Sequence, residues 1–598
     1  MYNEMINKFI VIFLLTSTIC IGQSEQLGYN YFRGGEYEKA AAVFKELYEK
    51  NKVRQDYFKH LLNCYQLTQQ FKKATALIES HSALYPNQLN LLVEKGYNQQ
   101  LQNNNEEAKK YYEKALELAS ENPFTGGNIG RAFAKNHLID YAIATYKKAM
   151  SLNPEINYHI YLAQAYGEKA DIKNMFNSYL DLLMVDESYF STIQRYIGQF
   201  ITEDNTEQNN SIFRKLLLSR LQKKPLHAYN KLLSWLYIQQ RDYEKAFTQE
   251  KALFKRNAAG IERLQKLGSI AFENKDYDIA KEIFQYILES TNRPEPIFDA
   301  NYYLLKIGIN TASNKKDFTA IDEKFKSLFN QFGRDINTYN LQLAYADFLC
   351  FSMGRPQDAI DVLQETKKLN LSQLDRAALQ LKLADYLVFT NQFNQALILY
   401  TQIQKRQKNS PLAQEARFKV AKTSYYKGDF KWAMTQLKVL KKSTSQLIAN
   451  DALELFLVIS DNMAGDTVYT HLEKFAKADL LAYQQKNAAA IDTLQTIIDQ
   501  YKGRAIEDEA LFKQAQLFEK VKRYNNAEEN YLQVLALDKS GILADNAVYH
   551  LGRLYEEKLN NPEKAKKMYE DIIFNYPASI YLIDARKRYR KLRGDVVN

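Results

Sequence analysis

Histidines are the side chains of this sequence best suited to binding a metal, and their spacing offers no metal site. The chain has seven histidines, and no two stand three or four residues apart, as two ligands on one helix must. They are His60, His81, His137, His159, His227, His471 and His550. The sequence also lacks the phosphate-loop, zinc-protease, serine-hydrolase and Cys-x-x-Cys signatures. We therefore predict no enzyme activity, no cofactor and no metal site.

Any binding groups must be positioned by helices, because the sequence is poor in turn-forming residues. It has 21 glycines and 10 prolines in 598 residues, about 5% where about 12% is usual. Sandwiches, barrels and βαβ units need such a residue about every ten positions. The hydrophobic share of 46% and the charged share of 25% argue against disorder and against a multi-span membrane protein. A net charge of +10 is small for this length, so we predict no nucleic-acid partner.

Small residues recur at a fixed interval near the start of the chain. Four alanines stand 34 residues apart, with glycine twelve positions before three of them and an apolar or aromatic residue four positions after each. These spacings place the residues on one face of a helix. They are Ala40, Ala74, Ala108 and Ala142, with Gly28, Gly96 and Gly130, and with Phe44, Ile78, Tyr112 and Tyr146. Each unit is therefore predicted to be a helical hairpin whose small residues let two backbones approach closely.

This unit, with Leu27-Gly28 and Tyr31 on one helix and Ala40 and Phe44 on the next, resembles the tetratricopeptide repeat. The resemblance implies an all-α fold, a right-handed α-solenoid superhelix of about eleven such hairpins. Residues 126–130 (GGNIG) look like a glycine-rich nucleotide loop, but no strand precedes them. Their last glycine is already explained by helix packing.

The repeat returns after a gap and then lengthens. Ala246, Gly268 and Ala280 keep the 34-residue period. Ala359, Ala396 and Ala433 then stand 37 residues apart, and after a gap Ala490, Ala527 and Ala565 stand 37 and 38 apart. We predict a signal peptide (1–22), a first array (23–186), a divergent helical segment (187–225), a second array (226–295), a third array with the longer period (296–440), a helical linker (441–470) and a C-terminal array with a basic end (471–598).

The first 22 residues are typical of a secretory signal peptide. Residues 9–15 form an apolar run too short to span a bilayer, and Cys20-Ile21-Gly22 suits cleavage before Gln23. Alternatively Cys20 carries a lipid, although the isoleucine before it fits a lipobox poorly. Cys64 and Cys350 are expected to be buried small hydrophobes and not a disulfide. We expect export to the periplasm, with outer-membrane association left open and no transmembrane span after cleavage.

The back of the chain has a more particular resemblance. Residues 410–440 and 544–590 resemble the repeats of exported bacterial proteins of the outer-membrane-assembly and Tol–Pal-coordinator type. The last predicted helix carries six cations in eight residues, namely Arg586, Lys587, Arg588, Arg590, Lys591 and Arg593. This run either binds anionic lipid, lipopolysaccharide or nucleic acid, or it only complements the helix dipole and keeps the end of the solenoid soluble.

In the resembled family the first helix of each hairpin lines a concave groove. The corresponding positions here are Tyr29, Phe32, Arg33, Lys59, Asn63, Gln66, Tyr97, Gln100, Asn128, Arg131 and Lys135. One family branch clamps a partner's terminal carboxylate, and Lys59 and Asn63 match its first positions. Glu94 stands at the next position and would repel a carboxylate, so an apolar or helical peptide segment suits the groove better. Alternatively Tyr29 and Tyr97 only pack between hairpins.

The sequence thus predicts an exported, non-enzymatic adaptor that binds a protein or peptide partner in the bacterial cell envelope, with outer-membrane or envelope assembly as its setting. One alternative is a cytosolic, peptide-sensing regulator in which residues 9–15 form a buried helix. Another is a repeat scaffold for a cell-wall-active enzyme. The gaps in the repeat pattern, 187–225, 296–355 and 441–470, are too short for a separate domain of about 100–150 residues.

Overall fold

The structure is a computed structural model and describes residues 24–204, 207–257, 259–408, 410–440, 446–463 and 469–595. The regular elements in these ranges are helices, and none is a strand. The predicted all-α fold class is confirmed. The predicted leader, with Cys20, lies outside the described residues, as do parts of the predicted linker. No helix within those ranges is both long enough and apolar enough to cross a membrane.

The chain divides after Gln240 into two compact units. In the first unit, each helix from α2 to α10 packs against the next one, and α12 packs against α13. A 3₁₀ turn, Pro123–Thr125, precedes α7, and another, Glu187–Tyr189, precedes α11. The helices are α1 (24–33), α2 (Tyr37–Lys50), α3 (Gln55–Leu67), α4 (Phe71–Leu84), α5 (Leu91–Gln100), α6 (Asn105–Glu121), α7 (Gly126–Lys135), α8 (Ile139–Leu152), α9 (His159–Glu168), α10 (Ile172–Val185), α11 (Phe190–Gly198), α12 (Gln208–Lys223) and α13 (His227–Gln239).

The second unit continues the same pattern, with proline in the first turn of α17, α20, α23 and α31, where its missing N–H costs nothing. A π-helical turn, Phe348–Ser352, follows α19. Its helices are α14 (Tyr243–Lys255), α15 (Ile261–Glu273), α16 (Tyr277–Ser290), α17 (Pro294–Thr311), α18 (Lys315–Phe332), α19 (Tyr339–Asp347), α20 (Pro356–Thr366), α21 (Gln373–Phe389), α22 (Phe393–Arg406), α23 (Pro411–Tyr426), α24 (Phe430–Leu440), α25 (Gln446–Met463), α26 (Thr470–Tyr483), α27 (Asn487–Gln500), α28 (Ile506–Lys520), α29 (Tyr524–Leu537), α30 (Ala544–Glu557), α31 (Pro562–Asn575) and α32 (Leu582–Arg593).

The hairpins interlock through a glycine on the first helix and an aromatic ring on the second. A Cβ atom added at Gly130 would lie 2.2 Å from the Tyr146 ring, and one at Gly96 would lie 2.4 Å from the Tyr112 ring. Both pairs are sixteen residues apart in the sequence, and Gly28 and Gly268 meet rings at the same spacing. A side chain at these positions would have to displace a buried ring.

The recurring alanines fill the neighbouring contact points of the hairpins. Their side chains are fully or almost fully buried, at Ala40, Ala74, Ala108, Ala142, Ala246, Ala280, Ala359, Ala396, Ala433, Ala490, Ala527 and Ala565. Interiors are packed too densely to admit even one extra methylene without strain. The period of the sequence is therefore the period of the closest helix contacts.

Tight turns between the helices explain how the chain manages with few glycines. A single residue in the left-handed conformation closes many of them, and most of these residues are not glycine. Examples are Gln69, Asn103, Ala170 and Lys275, with φ between 56° and 63°. Each such residue costs about 1 kcal/mol relative to glycine, which the repeats tolerate.

The two described cysteines behave as core residues. Cys64 and Cys350 are both free and fully buried. Burial raises the pKa of each thiol to about 12, so neither is a reactive thiolate at neutral pH. The expectation of two buried small hydrophobes is confirmed.

Candidate partner-binding surfaces

The two aromatic groove residues of the first repeat, Tyr29 and Phe32, pack between hairpins. The Tyr29 ring lies 5.3 Å from the Phe44 ring and 5.0 Å from the His60 ring, and Phe32 lies 5.1 Å from His60. The Tyr29 hydroxyl donates a hydrogen bond of 2.9 Å to Asp56, and burial, strengthened by this carboxylate, raises the pKa of Tyr29 to about 12. These rings join α1 to α3, whatever further role they have in a groove.

Two other predicted groove residues, Asn63 and Lys135, contact each other, and Lys135 also contacts Glu94, the residue that argues against the carboxylate clamp. Lys135 Nζ lies 3.3 Å from Asn63 Oδ1 and 3.3 Å from Glu94 Oε1. The Glu94 side chain is almost fully buried, and its other oxygen accepts a 3.4 Å hydrogen bond from Asn136 Nδ2. The side chains come from α3, α5 and α7, the first helices of three successive hairpins. Contact between α3 and α7 marks this side as the inner side of the first unit.

Arg131 is also engaged within the protein. Its guanidinium donates hydrogen bonds to Asn128 and to the Tyr161 hydroxyl, and it lies 5.3 Å from the Tyr161 ring centre. Gln100 likewise accepts a 2.8 Å bond from the Tyr112 hydroxyl. Most hydrogen-bonding groups on this face therefore already have partners.

The remaining predicted residues differ in what they leave available to a ligand. Arg33 and Lys59 are exposed and form no ion pair with any described residue. Tyr97 is half-buried, while Gln66 is buried and its amide nitrogen has no hydrogen-bond partner in the described structure. Among the predicted groove residues, Arg33 and Lys59 are thus the two cations that remain available to a ligand.

A larger feature, which the residue types alone did not indicate, lies on the first helices of the second unit. Asp347 accepts bonds from Lys382 and from the Tyr386 hydroxyl. One repeat later, Asp385 accepts two 2.9 Å bonds from Lys419 together with a bond from a tyrosine hydroxyl. The acid and the lysine stand 35 and 34 residues apart, so a search for charge pairs at the repeat period would have found them.

The same arrangement recurs further along the second unit. Asp479 lies 3.2 Å from Lys422 and 2.7 Å from Lys513. Burial alone would raise the pKa of Asp479. The two ammonium groups outweigh this effect and hold the pKa well below its usual range. Glu519 then lies 3.7 Å from the His550 ring nitrogen, and Glu556 forms an ion pair of 2.7 Å with Arg588. We call Asp347, Asp385, Asp479, Glu519 and Glu556 the carboxylate ladder.

A cavity of about 380 Å³ opens beside the first step of the ladder. Its apolar wall comes from α17, α19 and the π-helical turn, with Ile309, Leu343, Ala344, Phe348 and Phe351. Asn310, Asn340, Ser352, Tyr302, Lys306 and the Asp347–Lys382 pair complete the lining. π-helical turns are frequent at functional sites.

A second cavity, of about 480 Å³, lies beside the Asp385–Lys419 pair. Phe418, Tyr426, Ile448 and Tyr483 supply its apolar lining. It is lined by residues of α21, α22, α23, α25 and α26. Two aromatic-lined cavities therefore stand next to successive ladder pairs.

Tyr483 lies at the junction of the two cavities. Its ring is 6.1 Å from Phe351, which lines the first cavity, and 6.0 Å from Phe389. Its hydroxyl donates a 3.2 Å bond to the Asp385 carbonyl, and the amide of Gln484 donates a 2.9 Å bond to the Phe389 carbonyl. These bonds fix α26 against α21, about one hundred residues earlier.

Comparisons with known proteins identify the repeats. Residues 26–51 and 546–579 match one family model of the tetratricopeptide repeat, and residues 89–122 and 508–540 match another. These four segments are therefore similar to tetratricopeptide repeats. The matched segments fall on the hairpins α1–α2, α5–α6, α28–α29 and α30–α31. The resemblance of the C-terminal part to outer-membrane-assembly and Tol–Pal proteins has no counterpart in these matches and stays a prediction.

Solved structures with some likeness to the chain include the following two. A chain of Naa15/Naa10 bound to HypK-THB is 11% identical, with 96% of each chain covered and a TM-score of 0.27. A chain of the APC/C hetero-tetramer Cut9-Hcn1 is 15% identical, with 94% of this chain and 95% of that chain covered and a TM-score of 0.25. Scores this low carry no argument about shape or function. No curated protein sequence matches the chain.

Proposed function

We propose that this protein is a non-catalytic scaffold that holds segments of protein partners on the first helices of its repeats. The observation that carries the proposal is the pair of neighbouring cavities in the second unit, each with an apolar wall and a few polar groups at its edge. Concave, mostly apolar sites with a few placed polar groups are typical of binding sites. Repeat arrays commonly use the same face for protein partners.

The lining of the first cavity indicates what its occupant must offer. Lys382 is neutralised by Asp347, whereas Lys306 lies 4.9 Å from the Phe272 ring and 5.2 Å from the Tyr302 ring, with no ion pair to a described residue. A cation held by rings keeps its ability to pair with an acid. The occupant is thus a segment with one large apolar side chain for the cavity and an acidic group beside Lys306.

We place this scaffold in the bacterial cell envelope, with outer-membrane or envelope assembly as its setting. The proposal rests on the leader-like residues 1–22 and on the resemblance of residues 410–440 and 544–590 to exported repeat proteins. N-terminal sequencing of the protein isolated from cells tests it. A chain that begins at Gln23 in an envelope fraction supports export, and an uncleaved chain in the cytosol contradicts it.

Site-specific photo-crosslinking tests the cavity directly. A photoreactive residue in place of Asn340, which lines the first cavity and is exposed, should crosslink to a partner in cells. Ala344→Arg fills the same cavity and should remove the crosslink, while Ala320→Arg, at an exposed position of α18, should leave it intact. A crosslink that both variants preserve would contradict the site. Cell-wall lysis by the purified protein would contradict the non-catalytic assignment.

A further inference from the structure

The last described helix, α32, has an inner and an outer face. Ala585 is fully buried, and Tyr589 and Leu592 pack against the core of the second unit. The opposite face follows the helical spacing i, i+3, i+4, i+7 and i+8 from Ile583. It consists of Ile583, Arg586, Lys587, Arg590 and Lys591, all of which are exposed. An aliphatic side chain and four cations therefore share the side of α32 that faces away from the repeats.

Exposed aliphatic groups cluster at the start of this face. Ile583 is 82% exposed and Ile580, in the turn before the helix, is 76% exposed. They are the two most exposed large apolar side chains in the described part of the chain. Scattered single exposed aliphatic residues are ordinary, but two within four positions beside Arg586 and Arg590 form an amphipathic surface.

The structure divides the cations of α32 into two groups. Arg588 pairs with Glu556, Glu557 and Asp584, and Arg593 pairs with Asp595. Arg588 thus pairs with the last residue of the carboxylate ladder, and Arg593 pairs with an acid at the end of the helix. Both agree with the purely structural interpretation of the basic run. Arg586, Arg590 and Lys591 form no side-chain hydrogen bond or ion pair with a described residue. The nearby acids, Asp584 in α32 and Asp595 just after it, are thus already paired. The outer face therefore keeps positive charge that they do not neutralise.

We propose that the terminal patch, formed by Ile580, Ile583, Arg586, Arg590 and Lys591, docks on the surface of an anionic lipid bilayer. Cations near such a surface are attracted by its negative potential, and aliphatic side chains enter the boundary between headgroups and acyl chains. A nucleic-acid backbone would use the cations but would gain little from two exposed isoleucines. The terminal patch is separate from the cavities, and its role does not depend on the proposed function.

Vesicle flotation with the full chain tests the patch. We expect stronger binding to phosphatidylcholine vesicles that contain about 30 mol% phosphatidylglycerol than to pure phosphatidylcholine, and weaker binding as salt is added. Each cation contributes about fivefold to affinity, so R586Q/R590Q/K591Q should lose roughly a hundredfold. I580S/I583S should lose about tenfold or more, because each side chain loses its apolar burial.

Matched control variants separate the patch from net charge and from the leader. K315Q/K316Q/K324Q removes three exposed, unpaired cations from α18, and L374S/I398S removes two exposed aliphatic side chains. Both controls should bind anionic vesicles as the parent chain does, and thermal melting should show that all variants are folded. Equal losses in the controls, or equal binding to both kinds of vesicle, would overturn the proposal.

Two further measurements distinguish the remaining explanations. A tryptophan placed by Ile583→Trp, in a chain with Trp235 and Trp432 changed to Phe, should shift its emission to the blue on anionic vesicles, and Ile398→Trp should not. Flotation without that shift would mean adsorption by charge alone and would overturn the insertion. A third result would identify a nucleic-acid surface: the parent chain does not float with vesicles but binds a short DNA duplex, and I580S/I583S binds the duplex equally well. That result would also overturn the proposal.

Discussion

The ammonium group of Lys135 lies 3.3 Å from the Glu94 carboxylate and 3.3 Å from the Asn63 amide oxygen. This contact joins the first helices of three successive hairpins across 72 residues of sequence. It is possible only where those helices converge, on the inner side of the first unit. The same contact uses two groups that sequence comparison within the repeat family assigns to ligand binding. The first-unit groove is therefore partly closed by its own side chains.

Removing Lys135 should destabilise the first unit. In Lys135→Met the buried Glu94 carboxylate keeps only the weak bond from Asn136, so we expect a loss of about 1–3 kcal/mol in unfolding free energy by urea denaturation. Glu94→Gln in the same chain should recover part of the loss, because a neutral amide costs less to bury. Lys59→Met removes an exposed, unpaired lysine and should change stability by less than about 0.5 kcal/mol. Equal losses in both lysine variants would show that the contact contributes nothing specific.

The small residues of the repeats were predictable because packing at the closest approach of two helices accepts only glycine or alanine. Ala74 and Gly130 are examples, since both spacing and residue type reveal them. The Lys135 contact was not predictable, because its 41-residue separation from Glu94 depends on how strongly the array curves. Tyr483 illustrates the same limit, since it reaches Asp385 across the four intervening helices α22–α25. The period of the sequence specifies the contacts between adjacent helices. The curvature of the array determines the contacts between residues far apart in the sequence, which line a groove.

Enlarging the contact residues should cost stability at each closest approach. Ala74→Leu and Ala108→Leu are each expected to lower the unfolding free energy by about 1–3 kcal/mol through overpacking. Gly130→Ala should have an effect of similar size, because its new Cβ would lie 2.2 Å from the Tyr146 ring. Ala42→Leu, on the exposed side of α2, is the matched control and should be nearly neutral. Unchanged melting of the first three variants would mean that these positions are not the closest contacts.

A hairpin turn offers a stabilising substitution. Ala170 has a φ of 57°, which costs a residue with a Cβ about 1 kcal/mol, and its methyl group can make no hydrogen bond that would be lost. Ala170→Gly should therefore raise the melting temperature, although the flexibility of glycine in the unfolded chain offsets part of the gain. The reverse change, Gly428→Ala at a φ of 85°, should lower it. A fall in melting temperature for Ala170→Gly would contradict the strain assigned to this turn.

An acidic cluster on α25 and α28 should make the second unit less stable in alkali. Burial raises the pKa of Glu509 to about 8, and the Asp508, Glu454 and Asp461 carboxylates add to this effect. Because the native state then holds a proton that the unfolded chain has released, stability falls as the pH rises from about 4.5 through about 8. Glu509→Gln removes that penalty, so it should stabilise the protein at pH 9 by more than about 1 kcal/mol and have little effect at pH 5. Glu529→Gln, at an exposed position of α29, serves as the control in the same denaturation series. A gain from Glu509→Gln that is equal at both pH values would show that the substitution acts through packing and not through the charge of the carboxylate.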